Sequence, residues 1–119
     1  MSVFENLNKK EPIINRTYEI DESLYIILES LSKTKYDASI SKLVNLSIEF
    51  LLKTQNIQLY HRPKTEITVP RSFLIRKSLL EGLIEFKESY NISLNRLVNI
   101  AIRNALIDEG FLNETHNIK

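Results

Sequence analysis

The strongest constraint on this 119-residue chain is a phrase it contains twice. Lys42-Leu43-Val44-Asn45-Leu46-Ser47-Ile48 returns 54 positions later as Arg96-Leu97-Val98-Asn99-Ile100-Ala101-Ile102. The likeness extends backwards, with Ser39-Ile40-Ser41 answered by Ser93-Leu94-Asn95 and Tyr36-Asp37 by Tyr90-Asn91. Two copies make a supersecondary unit used twice, not a solenoid, which needs at least about three repeats. A chain of this length is expected to form one compact domain from both copies.

Each copy reads strand, helix, helix. In Ile14 to Ile20 the residues Ile14, Tyr18 and Ile20 share one parity and Asn15, Thr17 and Glu19 the other. Such alternation predicts a half-buried strand. Asp21 is a good N-cap for a helix from Glu22 to about Lys35, on which Leu24, Ile27, Leu28 and Leu31 recur at helical spacing. Ser39 caps a second helix with the stripe Ile40, Leu43, Val44, Ser47, Ile48 and Leu51. Leu46 and Phe50 add a second apolar face, and a helix apolar on two sides needs cover on both.

In the second copy, Lys64 to Val69 alternates, and Pro70 is expected to end the strand and suits a helix start. Arg71 to Tyr90 then reads as a long first helix. Gly82 within it costs roughly 1 kcal/mol against Ala and so points to close packing. Asn91-Ile92 makes the turn, and Ser93 caps a helix that repeats the earlier stripe through Leu94, Leu97, Val98, Ala101, Ile102 and Ala105. Gly110 suits a helix stop. The expected layout is a flexible arm 1–12, a first copy 13–53, a linker 54–63, a second copy 64–112 and a flexible tail 113–119.

A lone strand of six or seven residues cannot satisfy its own backbone. The economical solution pairs the two strands antiparallel over four helices. The expected fold class is mainly α with a two-stranded antiparallel β-ribbon, in the order β-α-α-β-α-α.

This order, together with the turn-Ser-x-x-x-Leu-Val pattern at Ala38-Ser39-Ile40-Ser41-Lys42-Leu43-Val44 and Ile92-Ser93-Leu94-Asn95-Arg96-Leu97-Val98, resembles the ribbon-helix-helix family of DNA-binding proteins. Members are usually homodimers of one copy; this chain looks like a tandem form, a single-chain pseudo-dimer, as in some accessory proteins of plasmid transfer. The resemblance implies sequence-specific binding of double-stranded DNA, with the ribbon in the major groove. The implied role is that of a transcriptional repressor or a relaxosome-type accessory factor of a plasmid or other mobile element. Counted back from Asp21 and Pro70, the implied base-contacting residues are Asn15, Thr17, Glu19, Lys64, Glu66 and Thr68. The implied phosphate contacts, at the N-terminus of each second helix, are Ser39, Ser41, Lys42, Ser93, Asn95 and Arg96. Self-association on adjacent sites is a further implication.

Charge adds a local argument. The net charge is only +1, but Arg62, Lys64, Arg71, Arg76 and Lys77 fall in one short stretch opposed by Glu66 alone. There is no cysteine and no clustered histidine, so disulfides and thiolate zinc sites are excluded, and neither a metal nor a cofactor is expected. With two glycines in the whole chain there is no phosphate-cradling loop, and no carboxylate pair is spaced for acid–base chemistry, so no enzyme is expected. No apolar run spans a bilayer and no signal core opens the chain, and a cytoplasmic location without membrane contact is the expectation. Two rival readings are an antitoxin-like protein-interaction module working through flexible termini and a purely structural helical dimerisation domain.

Overall fold

A computed structural model describes residues 11–113. Its elements are β1 (Ile13–Asp21), α1 (Glu22–Thr34), α2 (Ile40–Thr54), β2 (Thr68–Arg76), α3 (Lys77–Tyr90) and α4 (Leu94–Asp108). The architecture is mainly helical, with four helices and one two-stranded antiparallel sheet. In the ribbon, Ile13 lies opposite Arg76, Thr17 opposite Ser72 and Asp21 opposite Thr68. Tyr18, Ile20, Phe73 and Ile75 are buried against the helices, while Thr17, Glu19, Ser72 and Leu74 are exposed on the other face.

The second strand corrects the sequence reading. It spans Thr68–Arg76, not 64–69, and residues 71–76 continue the strand instead of opening a helix. Pro70 sits inside it, opposite Glu19. The Glu19 N–H and carbonyl point away from β2, to Asn95 and Asn99 on α4. In an antiparallel pair this makes Glu19 and Pro70 a pair without mutual hydrogen bonds. The N–H that proline lacks would have faced the sheet's outer edge, where proline is tolerated. The governing alternation is Val69, Arg71, Phe73 and Ile75, which begins where the sequence reading stopped.

Helix starts are crossed between the copies. Asp21 was expected to cap α1, but its carboxylate makes no cap bond and accepts instead from the Tyr60 hydroxyl and, at 2.7 Å, from Arg62 Nε. The cap comes from Glu66, whose carboxylate accepts from the Ser23 N–H at 3.1 Å and from the Ser23 hydroxyl. Glu11 does the same for α3, accepting from the Ser78 N–H. The Pro12 carbonyl takes the Lys77 N–H and the Ile67 carbonyl takes the Glu22 N–H, both at 2.9 Å. Acidic groups at helix N-termini are favoured by the dipole. Glu11 and Pro12, expected in a flexible arm, are thereby tied to α3. Residues 1–10 of that arm and 114–119 of the expected tail lie outside the described residues.

Residues 54–63 are more than a tether. Tyr60 is buried, with the guanidinium of Arg96 4.7 Å and that of Arg103 4.6 Å from its ring centroid. Asn104 Nδ2 donates to the Asn56 carbonyl at 2.8 Å. This segment therefore lies over the outer face of α4. Leu46 on α2 and Ile100 on α4 hold matching places in the repeated phrase, yet Ile100 is 0% and Leu46 50% exposed. The second apolar face of α2 instead lines an open groove of about 470 Å³ with Leu43, Leu46, Phe50, Tyr36 and Phe111. Gly82 marks the close packing expected, since a Cβ there would stand 2.6 Å from Leu52 Cδ1. Gly110, with φ of 85°, follows the end of α4.

Candidate nucleic-acid interface

Thr17 and Ser72 occupy the middle of the ribbon, their hydroxyls hydrogen-bonded at 2.6 Å. Toward one end, Asn15 faces Leu74; toward the other, Glu19 faces Pro70. All six point away from the helices and are exposed. Of the sequence-predicted base contacts, Asn15, Thr17 and Glu19 thus share one open face. Thr68 stands at the first position of β2, where its hydroxyl donates to Glu19 Oε1 at 3.1 Å. Lys64 and Glu66 do not belong to the ribbon: Lys64 is exposed in a turn before β2, and Glu66 is engaged in capping α1. Their places on the face are taken by Pro70, Ser72 and Leu74, which the sequence reading had put into or next to a helix. The shift also removes one of the two glutamates expected on that face.

Each outer edge of the ribbon is clamped at one end by side chains from the first turns of α2 and α4. Ser41 Oγ accepts from the Leu74 N–H at 3.0 Å, and Asn95 Oδ1 accepts from the Glu19 N–H at 3.0 Å. One turn on, Asn45 donates to the Leu74 carbonyl at 2.7 Å and accepts from the Arg76 N–H at 3.0 Å. Asn99 donates to the Glu19 carbonyl at 2.9 Å and accepts from the Asp21 N–H at 2.8 Å. The repeated asparagine is therefore a clamp on a strand edge, a role that sequence alone did not disclose.

The predicted phosphate contacts divide accordingly. Ser39 Oγ accepts from the Lys42 N–H and Ser93 Oγ from the Arg96 N–H, each at 3.1 Å, as helix caps do. The side chains of Ser41 and Asn95 hold the ribbon. Lys42 is exposed, whereas Arg96 donates to the Tyr60 carbonyl and stacks on its ring. The matching Lys42 and Arg96 are thus not equivalent in use. The Ile40 and Ser41 amides of α2 and the Leu94 and Asn95 amides of α4 precede those capped groups and point out of the helix ends, as in any helix.

Two arginines outside the predicted contact set complete the surroundings. Arg16 donates to the Asn15 carbonyl at 3.0 Å and Arg71 to the Pro70 carbonyl at 2.8 Å, so both guanidiniums curl around matching strand positions. Arg71 also lies 4.7 Å from the Tyr25 ring centroid. Tyr60 and Glu11 are among the groups here that titrate away from their ordinary ranges. Burial, and then the bond to Asp21, pushes the Tyr60 hydroxyl well up, while the bonds from Ser78 hold the Glu11 carboxyl low.

Among the described residues, no cluster of three or more His, Cys, Asp or Glu is placed to hold a metal ion, and no helix is long and apolar enough to cross a membrane. Comparison of the chain with protein-family models, with curated proteins and with solved structures found no match.

Proposed function

We propose that this chain is a sequence-specific double-stranded DNA-binding protein. In this reading it is a tandem ribbon-helix-helix pseudo-dimer that lays its ribbon in the major groove, as a repressor or as a plasmid or mobile-element accessory factor. One observation carries the proposal. The ribbon has an uncovered outer face bearing Asn15, Thr17, Glu19 and Ser72, while each of its edges is clamped at one end, by Ser41 and Asn45 on β2 and by Asn95 and Asn99 on β1. An edge left open would pair with another strand. A ribbon with clamped edges and an open polar face is suited to present side chains to a groove, and a two-stranded ribbon fits the major groove of B-DNA. Arg16 and Arg71, bonded to the Asn15 and Pro70 carbonyls, and the exposed Lys42 add cations beside the ribbon, which favours approach to phosphate.

Titration of labelled duplexes at low salt tests the proposal. Binding is expected, with log K falling linearly with log salt by about 0.9 for each phosphate neutralised. Lys42→Ala should reduce that slope by about 1 without changing sequence preference. A folded protein that binds no duplex, and that co-purifies with a stoichiometric protein partner instead, would overturn the reading in favour of an interaction module.

A further inference from the structure

We infer that the ribbon reads a DNA site whose two halves differ in sequence, one end selecting an A·T pair and the other a C·G pair. The inference rests on the DNA-binding reading above and deepens it.

The register supplies the argument. Thr17 and Ser72 face each other at the centre, and the residues flanking them correspond between strands: Asn15 to Pro70 and Glu19 to Leu74. A symmetric ribbon would carry the same pair of side chains at both ends. This one carries Asn15 with Leu74 at one end and Glu19 with Pro70 at the other. The difference does not extend to the scaffold. Arg16 and Arg71, Ser41 and Asn95, and Asn45 and Asn99 make matching bonds in the two halves. The edge clamps are common to both halves while the outward side chains diverge, and only the latter can touch bases.

The chemistry at each end then selects a base pair. An Asn amide pairs bidentately with adenine N6 and N7, and an apolar side chain packs on the thymine methyl. Leu74 is 53% exposed on this face, with no polar group of its own to lose. Asn15 and Leu74 together therefore suit A·T. At the opposite end a carboxylate accepts from cytosine N4. The Thr68 hydroxyl orients Glu19 by donating to one carboxylate oxygen, which leaves the other oxygen for a base. Pro70 beside it offers no donor from its side chain. A carboxylate also repels phosphate, so Glu19 trades non-specific affinity for discrimination.

Selection of bound duplexes from a random pool tests the inference. The wild-type chain should yield a consensus that is not an inverted repeat, with A·T favoured in one half and C·G in the other. An inverted-repeat consensus would overturn the inference and leave DNA binding intact. Recovery of no sequence above background would overturn the DNA-binding reading itself. The double variant Pro70→Asn/Leu74→Glu makes the two ends chemically alike, and its consensus should become an inverted repeat; an unchanged consensus would refute the assignment. Both positions are exposed, and unfolding curves establish that the variant is folded. Glu19→Ala gives an independent measure. It should cut discrimination at the C·G position about tenfold while raising affinity for unrelated duplexes. Unchanged discrimination would overturn the role given to Glu19.

Discussion

Replacing Asn99 with alanine should be far more damaging than replacing its repeat partner Asn45, although the two make the same kind of bonds. Asn99 is 0% exposed. Its side chain donates to the Glu19 carbonyl at 2.9 Å and the Asn95 carbonyl at 2.8 Å, and accepts from the Asp21 N–H at 2.8 Å. Alanine leaves the Asp21 N–H without its partner in a buried setting, and the Glu19 carbonyl without the amide that closes the strand edge. A buried polar group stripped of its partner costs about 1–3 kcal/mol, so the sum for the two is about 2–6 kcal/mol. That is a large share of the roughly 5–15 kcal/mol that holds a domain together. Asn45 bonds the Leu74 carbonyl and Arg76 N–H at an edge that is only partly buried, so water replaces much of what is lost and the cost falls to about 1 kcal/mol. Asn99→Asp sharpens the comparison. It keeps an acceptor for the Asp21 N–H, loses both donations and adds a buried charge near the Asp21 carboxylate, so it should be no milder than alanine. Urea unfolding of the wild type and the three variants, read at constant m-value, measures these differences. Equal losses for Asn99→Ala and Asn45→Ala, or a loss at Asn99 below about 1 kcal/mol, would refute the reasoning from burial.

The remaining predictions concern charge. Tyr60→Phe should cost about 1–3 kcal/mol at neutral pH, because the buried Asp21 carboxylate loses a donor. With its pKa raised by burial and by Asp21, Tyr60 contributes stability that is full below the ordinary tyrosine value of 10.0 and is lost as the pH climbs past it. The variant should therefore show a shallower alkaline fall in stability, measured by unfolding at several pH values. For Glu11 the sign is opposite. Its pKa is depressed by the Ser78 bonds, so its contribution is present above the ordinary value of 4.5 and vanishes as the pH falls below it. Glu11→Gln should flatten the acid limb alone. Glu66→Ala should lower stability by about 1 kcal/mol at neutral pH through loss of the α1 cap, as read by thermal or urea unfolding.

The helices were largely legible from the repeated phrase, because apolar spacing and serine caps are local signals. The second strand was not: the alternation of Lys64 to Val69 and the stop expected at Pro70 set Asn15, Thr17 and Glu19 against Lys64, Glu66 and Thr68, whereas the ribbon matches them with Pro70, Ser72 and Leu74. The second helices repeat at 54 positions, but the strands match at 55, as Thr17 with Ser72 and Ile20 with Ile75 show. One residue is gained between α1 and α2 relative to α3 and α4, which is why the two spacings differ. A comparison at 55 positions aligns Glu11 with Glu66, Arg16 with Arg71 and Tyr18 with Phe73, and sets Asn15, Thr17 and Glu19 against Pro70, Ser72 and Leu74. The proline reinforced the error, since its place in a strand depends on which way its missing N–H would point, and that is a tertiary fact. The burial of Tyr60 was hidden for a related reason: one aromatic residue in a polar run carries no period, and only contact with Arg96 and Arg103 gives it a place.

A two-stranded ribbon is marginal alone, and this one is kept by a division of labour at the start of the second helices. Ser41 and Asn95 stand where a resembled phosphate grip would recruit side chains, yet both are engaged in holding strand backbone. The side chain at that position cannot hold the edge and bind an anion together. What each helix N-terminus can still offer is its backbone amides and dipole, which need no particular side chain. Fixing the strand edges and gripping phosphate are therefore compatible only because one uses side chains and the other uses main chain. The same separation explains why the scaffold bonds can repeat so faithfully while the outward residues of the two strands differ. The clamps act on main-chain atoms that every residue carries, so the side chains above them are free to vary, and a chain that holds both copies in one polypeptide can vary them independently.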